Sequence, residues 1–270
     1  MTEIYLIRHA QAEGNSYRMM QGHWDGDVTA MGRRQIDALA ERFRDVKIDA
    51  LYSSDLYRTR LTASAITRFH DLPQHGTRQL REIHVGRWET KFFGNVIHDE
   101  PELAHAFMFE QDKWSIEGGE TYAQVAERAC AALEEIARNH PGETVAVISH
   151  GVTIRCLLSR ILGVPLQDTE RLPICRNTAV AHLFWEDGRF TVDYMNDYSH
   201  LLPLGDFSWS KTGDLRDVPL DAKADRDYYN ACYADAWQTA HGSLEGYAPR
   251  VYFDAALRHL EADPQAVLRL

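Results

Sequence analysis

Apolar and polar positions along the chain alternate between two periods. IYLIRH, residues 4–9, is a dense apolar run with no 3.6-residue repeat, which suits a short strand covered on both faces. After Thr29, placed to cap a helix over about 30–45, the period lengthens: Ile36, Leu39, Ala40 and Phe43 fall on one stripe. IDALYSS (48–54) predicts the next strand, and Asp55 opens a helix over LYRTRLTASAITRF; RQLREIHV (78–85) is a further short strand candidate. A long helix from Thr121 to Asn139 turns Tyr122, Val125, Ala129, Leu133 and Ile136 inward, and HPGE stops it. ETVAVISHG (143–151) has the pattern of a buried parallel strand and runs into the helix VTIRCLLSRILG. TAVAHLFWEDGRFTVDYM predicts two strands around a turn at Asp187-Gly188.

Strand and helix alternating with crossover-length connections predict an α/β fold, a three-layer α/β/α sandwich with a mostly parallel central sheet and one antiparallel edge. The stretch 88–118 breaks the rhythm and is rich in aromatics (Trp88, Phe92, Phe93, Phe107, Phe109, Trp114), as an insertion or lid would be. From Pro203 the pattern changes again, to a loop and two helices near 225–240 and 250–262. We therefore divide the chain into a domain over 1–202 and an extension over 203–270. The many aromatic rings of the extension predict packing on the core or on a second copy of the chain, a homodimer.

Composition narrows the function classes. With 270 residues, 44% hydrophobic and 26% charged, the chain can bury a sizeable core. It shows neither a signal-peptide pattern nor an apolar run of the roughly 18 residues a membrane span needs, so we expect a cytoplasmic protein with no membrane partner. Cys130, Cys156, Cys175 and Cys232 lie far apart with no CxxC pair and read as buried thiols. The histidines show no HExxH spacing, and no metal site is expected. A formal charge of −11 repels polyanions, which argues against nucleic acid; an anionic substrate would need a local cluster of positive charge.

Such a cluster is visible at the predicted strand ends. In an open α/β sheet the carboxyl ends of parallel strands converge on one crevice. Arg8-His9, Ser53 to Arg58, Glu82 and Ser149-His150 arrive there. Two histidines, two arginines and a carboxylate make poor core packing, because unpaired guanidinium groups are costly to desolvate. They suit a dianion with several acceptor oxygens, such as phosphate. The helix after His150 would add its free N–H groups to the same place. Ser53 and Ser54 read as a helix cap near Asp55, and Gly118-Gly119 as a turn before the long helix.

These segments resemble the histidine phosphatase superfamily, the phosphoglycerate mutase-like family. LIRHAQAEGN, SSDLYRTRLTA, LREIHVGRWE and VISHG occur in that family's order over about residues 4–151, and NDYSHL near 196–201 looks like the end of its core. The resemblance implies that His9 is the nucleophile that becomes phosphorylated. It further implies that Arg8, Arg58 and His150 bind the phosphoryl oxygens with Gly151 beside them, and that Glu82 donates a proton to the leaving oxygen. Asn15, Gln21 and Gly22 are the implied flanking substrate contacts. Physical reasoning agrees, since arginines beside His9 disfavour its imidazolium and keep a lone pair available. Glu13 and Glu89 remain alternative proton donors. Two positions depart from the pattern, Ala10 and Thr90, where glycine is usual; at Ala10 a backbone conformation needing positive φ would be less comfortable, though alanine is small enough for close phosphate approach.

The function this implies is hydrolysis of small phosphate monoesters through a phosphohistidine, without metal or other cofactor, as in an acid phosphatase of this type. Two alternatives stand beside it: a phosphoglycerate mutase, and a non-catalytic module that binds a phosphorylated ligand. A mutase needs extra cations for its carboxylated substrate, and residues 88–120 offer only Lys91 and Lys113 among many acids. The aromatics of that stretch suggest a substrate with an apolar or planar part.

Overall fold

The two hydrophobic periods separate into one sheet and the helices packed against it. A computed structural model of the chain describes residues 1–173 and 175–204. The elements run β1 (Thr2–Arg8), α1 (Glu13–Ser16), α2 (Ala30–Phe43), β2 (Ala50–Ser54), α3 (Tyr57–Thr67) and β3 (Gln74–Thr77), followed by α4 (Phe93–Asp99) and α5 (Pro101–Phe109). Then come α6 (Tyr122–Asn139), β4 (Thr144–Ser149), α7 (Gly151–Leu162), β5 (Val180–Glu186) and β6 (Arg189–Asp197).

The six strands lie in the order β3-β2-β4-β1-β5-β6. The first four run parallel; β5 and β6 form the antiparallel edge. Their two-residue turn has Asp187 and Gly188 both at positive φ, 50° and 76°, the conformation that matches strand twist in a hairpin. Central β4 is buried from Val145 to Ser149 on both faces, as its apolar run predicts. Successive β4 side chains serve opposite layers: Val145 and Val147 pack with Leu133, Ile136 and Leu157 of α6 and α7, whereas Ala146 and Ile148 pack with Ile36, Leu39 and Ile66 of α2 and α3. That is the expected three-layer α/β/α sandwich.

Local chemistry sets the element ends. Thr29 accepts the Gly32 N–H at 3.0 Å and caps α2, and Thr121 with Gln124 makes a capping box at the start of α6. Gly163, at φ 67°, ends α7 in the left-handed conformation. Gly118 is likewise left-handed (φ 72°) and turns the chain into α6, as expected of a helix-start turn. Two expectations need correction. The strand beyond α3 is Gln74–Thr77, while Arg78–Leu80 is a 3-10 turn and residues 81–85 are irregular. α3 begins at Tyr57 with Leu56 rather than Asp55 as its N-cap, and a carboxylate from outside the segment serves its first turn: Asp25 accepts the Tyr57 N–H at 2.7 and 2.8 Å.

The aromatic insertion forms a third core. Trp88 and Trp114 are fully buried and pack on Phe107 and Tyr122 with ring centroids 5.0–5.9 Å apart. Their first role is therefore structural rather than as a wall for a planar substrate. Cys130, Cys156 and Cys175 are buried free thiols; Cys232 and the helices expected near 225–240 and 250–262 lie outside the described residues. No helix among the described residues is long and apolar enough to cross a membrane.

Candidate active site

The parallel pairing of β1 with β4 sets Arg8 against Ser149, so the next residues, His9 and His150, lie side by side where the two strands end. His9 N–H donates to the Ser149 carbonyl at 2.9 Å, and the two imidazole centroids are 5.1 Å apart. Both rings are buried, His9 3% and His150 0% exposed.

His9 Nδ1 lies 2.7 Å from the Ala10 carbonyl oxygen, which can only accept, so Nδ1 carries the proton and Nε2 the lone pair. Burial, reinforced by the Arg58 and Arg8 charges, holds the His9 pKa well below its ordinary value. The ring is a neutral imidazole with a free nitrogen. Ala10 is not strained, because it is not among the residues at positive φ; its N–H donates to Thr62 Oγ1 at 2.9 Å. Thr90 does sit at φ 66°, a conformation that a β-branched residue rarely takes.

Arg58, in the first turn of α3, is fully buried. Its Nη1 donates to Trp24 O (2.8 Å) and its Nη2 to Gly22 O (2.7 Å), and burial pulls its pKa down to about 10. Those carbonyls are themselves held. Glu89 accepts the N–H groups of Gly22, His23 and Trp24 at 3.2, 2.7 and 3.0 Å, so its carboxylate organises this loop. With its N–H on Glu89 and its carbonyl on Arg58, Gly22 shapes the Arg58 cradle. A Cβ there would come within 2.3 Å of the Ile83 carbonyl. Gln21 lies next to it, packed against Gly14, where a Cβ would meet its Oε1 at 2.1 Å.

Arg8 donates from Nη1 to the Cys175 carbonyl and lies against Gly151, whose missing Cβ would stand 3.3 Å from Arg8 Cζ. Glycine at the first position of α7 thus lets a guanidinium reach the helix N-terminus. Glu82 arrives from the irregular segment after β3. Its Oε1 accepts the N–H groups of Ile83 (3.0 Å) and Thr153 (3.1 Å), and its Oε2 accepts that of Val152 (3.1 Å). This carboxylate therefore caps α7, whose own N-cap, His150, supplies no side-chain bond. Glu13 accepts the Asp27 N–H on the partly exposed loop side. Of the three acidic candidates, only Glu82 meets the helix that carries His150 and Gly151.

Asn15 Oδ1 accepts from Ala12 N–H (3.0 Å) and from Asn177 Nδ2 (3.2 Å), and Asn177 Nδ2 also donates to the His9 carbonyl (3.0 Å). Sequence reasoning missed Asn177, an uncharged residue in a loop before β5 with no strand end to announce it. Ser54 Oγ accepts the Leu56 N–H at 3.4 Å where α3 begins, in line with the cap reading, while Ser53 Oγ donates to the Ser54 carbonyl at 2.7 Å and accepts from Gln74 Nε2 at 2.9 Å.

Several buried polar atoms at this place have no hydrogen-bond partner among the described residues: Arg8 Nε, Arg58 Nε, both nitrogens of His150, and both amide atoms of Gln21. Buried donors normally find partners, so such a concentration marks a place built for a ligand rich in acceptors. The sequence profile of the histidine phosphatase superfamily, branch 1, matches residues 4–198. The chain belongs to the histidine phosphatase superfamily. Among relatives, it is 33% identical over 219 residues to the metal-independent phosphoserine phosphatase of Arabidopsis thaliana, covering 80% of this chain and 90% of that one. It is 30% identical over 206 residues to the probable phosphoglycerate mutase GpmB of Salmonella choleraesuis, covering 74% and 95%. Among solved structures, Bacillus stearothermophilus YhfR superposes with a TM-score of 0.73 at 31% identity, covering 74% of this chain and all of that one. The histidine phosphatase relatives thus divide between phosphatases and mutases, both of which transfer phosphoryl groups.

Proposed function

We propose that this protein is a metal-independent phosphatase that hydrolyses small phosphate monoesters through a phosphohistidine at His9. The observation that carries the reading is the set of buried, unpartnered nitrogens of Arg8, Arg58 and His150 around a neutral His9. A phosphoryl dianion supplies the acceptors they lack and offsets the arginine charges that, second to burial, hold His150 neutral. His9 Nε2 attacks phosphorus in line while the P–O bond to the ester oxygen breaks. The arginines and the N-terminus of α7 take the charge on the transferring group, and Glu82 gives its proton to the leaving oxygen. Glu82 Oε2 accepts one backbone N–H and keeps capacity for that proton. Water activated by the resulting carboxylate then breaks the N–P bond, releasing phosphate and restoring His9. Asn15 and Gln21 contact the phosphoryl group from the side.

Hydrolysis is favoured over mutase chemistry by the charges of the insertion. Arg87 and Lys91 share Glu100, and Lys113 pairs with Glu110 at 2.7 Å, so each of these cations already faces an acid. We assign the catalytic unit to residues 1–202 in the cytoplasm, and the extension 203–270 to packing on this unit or on a second copy.

The test is a panel of phosphomonoesters, alkyl and aryl, assayed with and without a chelator and repeated on a chain ending at residue 204. We expect phosphate release insensitive to chelator, and retained by the shorter chain. Chelator-sensitive turnover, or transfer between positions of phosphoglycerate without net release, would refute the reading.

A further inference from the structure

Glu82 stands in a stretch with no regular secondary structure, yet it must present one carboxylate to one place. Residues 81–85 follow the 3-10 turn Arg78–Leu80 and belong to no strand, so the sheet does not satisfy their carbonyls. Much of that work falls to Arg128, which reaches over from α6. Its Nη1 donates to Gln79 O (2.8 Å) and Arg81 O (2.9 Å), and its Nη2 donates to Glu82 O (3.0 Å). The remaining two N–H groups bind Glu120, Nε to Oε1 at 2.7 Å and Nη2 to Oε2 at 2.9 Å. All five guanidinium donors are engaged, in a largely buried setting with Arg128 16% exposed. Glu120 extends the brace by accepting the His84 N–H at 3.0 Å, and His23 Nε2 adds a second donor to the Glu82 carbonyl at 3.0 Å.

We infer that Arg128, held by Glu120, is a positioning residue that aims the Glu82 carboxyl at the leaving oxygen. The inference rests on the proposed role of Glu82 as proton donor. Arg128 touches main-chain carbonyls and Glu120, so it acts through the segment it grips. A lysine would keep the charge but lose the planar fork that spans three carbonyls and a carboxylate.

A misaimed proton donor has a signature that a loosened fold does not share. An alkoxide leaves only with a proton, whereas dinitrophenolate departs as a stable anion. We therefore compare kcat/KM, which covers the steps through phosphorylation of His9, for glycerol phosphate and dinitrophenyl phosphate. Arg128→Lys is expected to lose about 100-fold on glycerol phosphate, the scale set by a displaced catalytic group, and little on the nitrophenyl ester. Should Arg128→Lys fail to fold, Glu120→Gln, which unfastens the guanidinium from one side, is expected to show the same selectivity. Glu82→Gln is the control. If Glu82→Gln loses both esters equally, the proton-donor reading falls and this inference with it. If Glu82→Gln is selective while the folded Arg128 or Glu120 variant loses both equally or neither, the inference alone is overturned.

Discussion

His9 and His150 enter the fold uncharged, although each would take up a proton near pH 6.5 in an unfolded chain. Burial is the first cause at both, and the neighbouring Arg58 charge is the second. His200, partly buried beside Arg42, is pushed down to about 4, burial again being the first cause. The sign follows from linkage. Below about pH 6.5 the unfolded state binds protons that these folded sites refuse, so stability falls as pH falls toward the folded values. Urea midpoints taken from pH 7.5 to pH 5 should therefore drop steadily, and inorganic phosphate should oppose the drop by binding the folded site. A midpoint that is flat or rises on acidification would contradict neutral, buried histidines. The same depression keeps His9 a competent nucleophile in mildly acidic solution.

At the scale of elements, the site depends on how α3 and α7 begin, because both present N-termini and key side chains to one crevice. α7 was legible from sequence: an apolar run stopping at Ser149-His150, then glycine, marks a buried strand feeding a helix. The start of α3 was not, because the carboxylate that serves its first turn, Asp25, lies thirty-two residues earlier in the loop that also holds Arg58. Asp25→Ala is accordingly expected to cost about 1 kcal/mol of stability, the usual value of a lost N-terminal cap. Equilibrium urea unfolding measures it, and an unchanged midpoint would remove Asp25 from the account. β3 escaped sequence reasoning for a different reason. Gln74–Thr77 is a polar edge strand with no apolar alternation, while the apolar residues Leu80, Ile83 and Val85 next to it belong to a segment ordered by Arg128. Glu89 and Asn177 were invisible as braces because their partners, main-chain groups and the Asn15 amide, lie far away in the chain.

For the whole molecule, an acidic protein places the fully buried Arg58 and the partly buried Arg8 at the converging ends of three parallel strands, with both Nε atoms buried and without hydrogen-bond partners among the described residues. Strand order brought together Arg8, His9, Arg58 and His150, which the chain scatters over more than 140 residues. The central claim is that the phosphoryl group passes through His9. Rapid acid-free quenching of the enzyme during turnover of a radiolabelled phosphomonoester, followed by peptide mapping, addresses it most directly. The account predicts a base-stable, acid-labile phosphate on the peptide bearing His9, absent from His9→Ala, which should also lack turnover. Label on another residue, or a His9→Ala enzyme that releases phosphate at the parent rate, would contradict it.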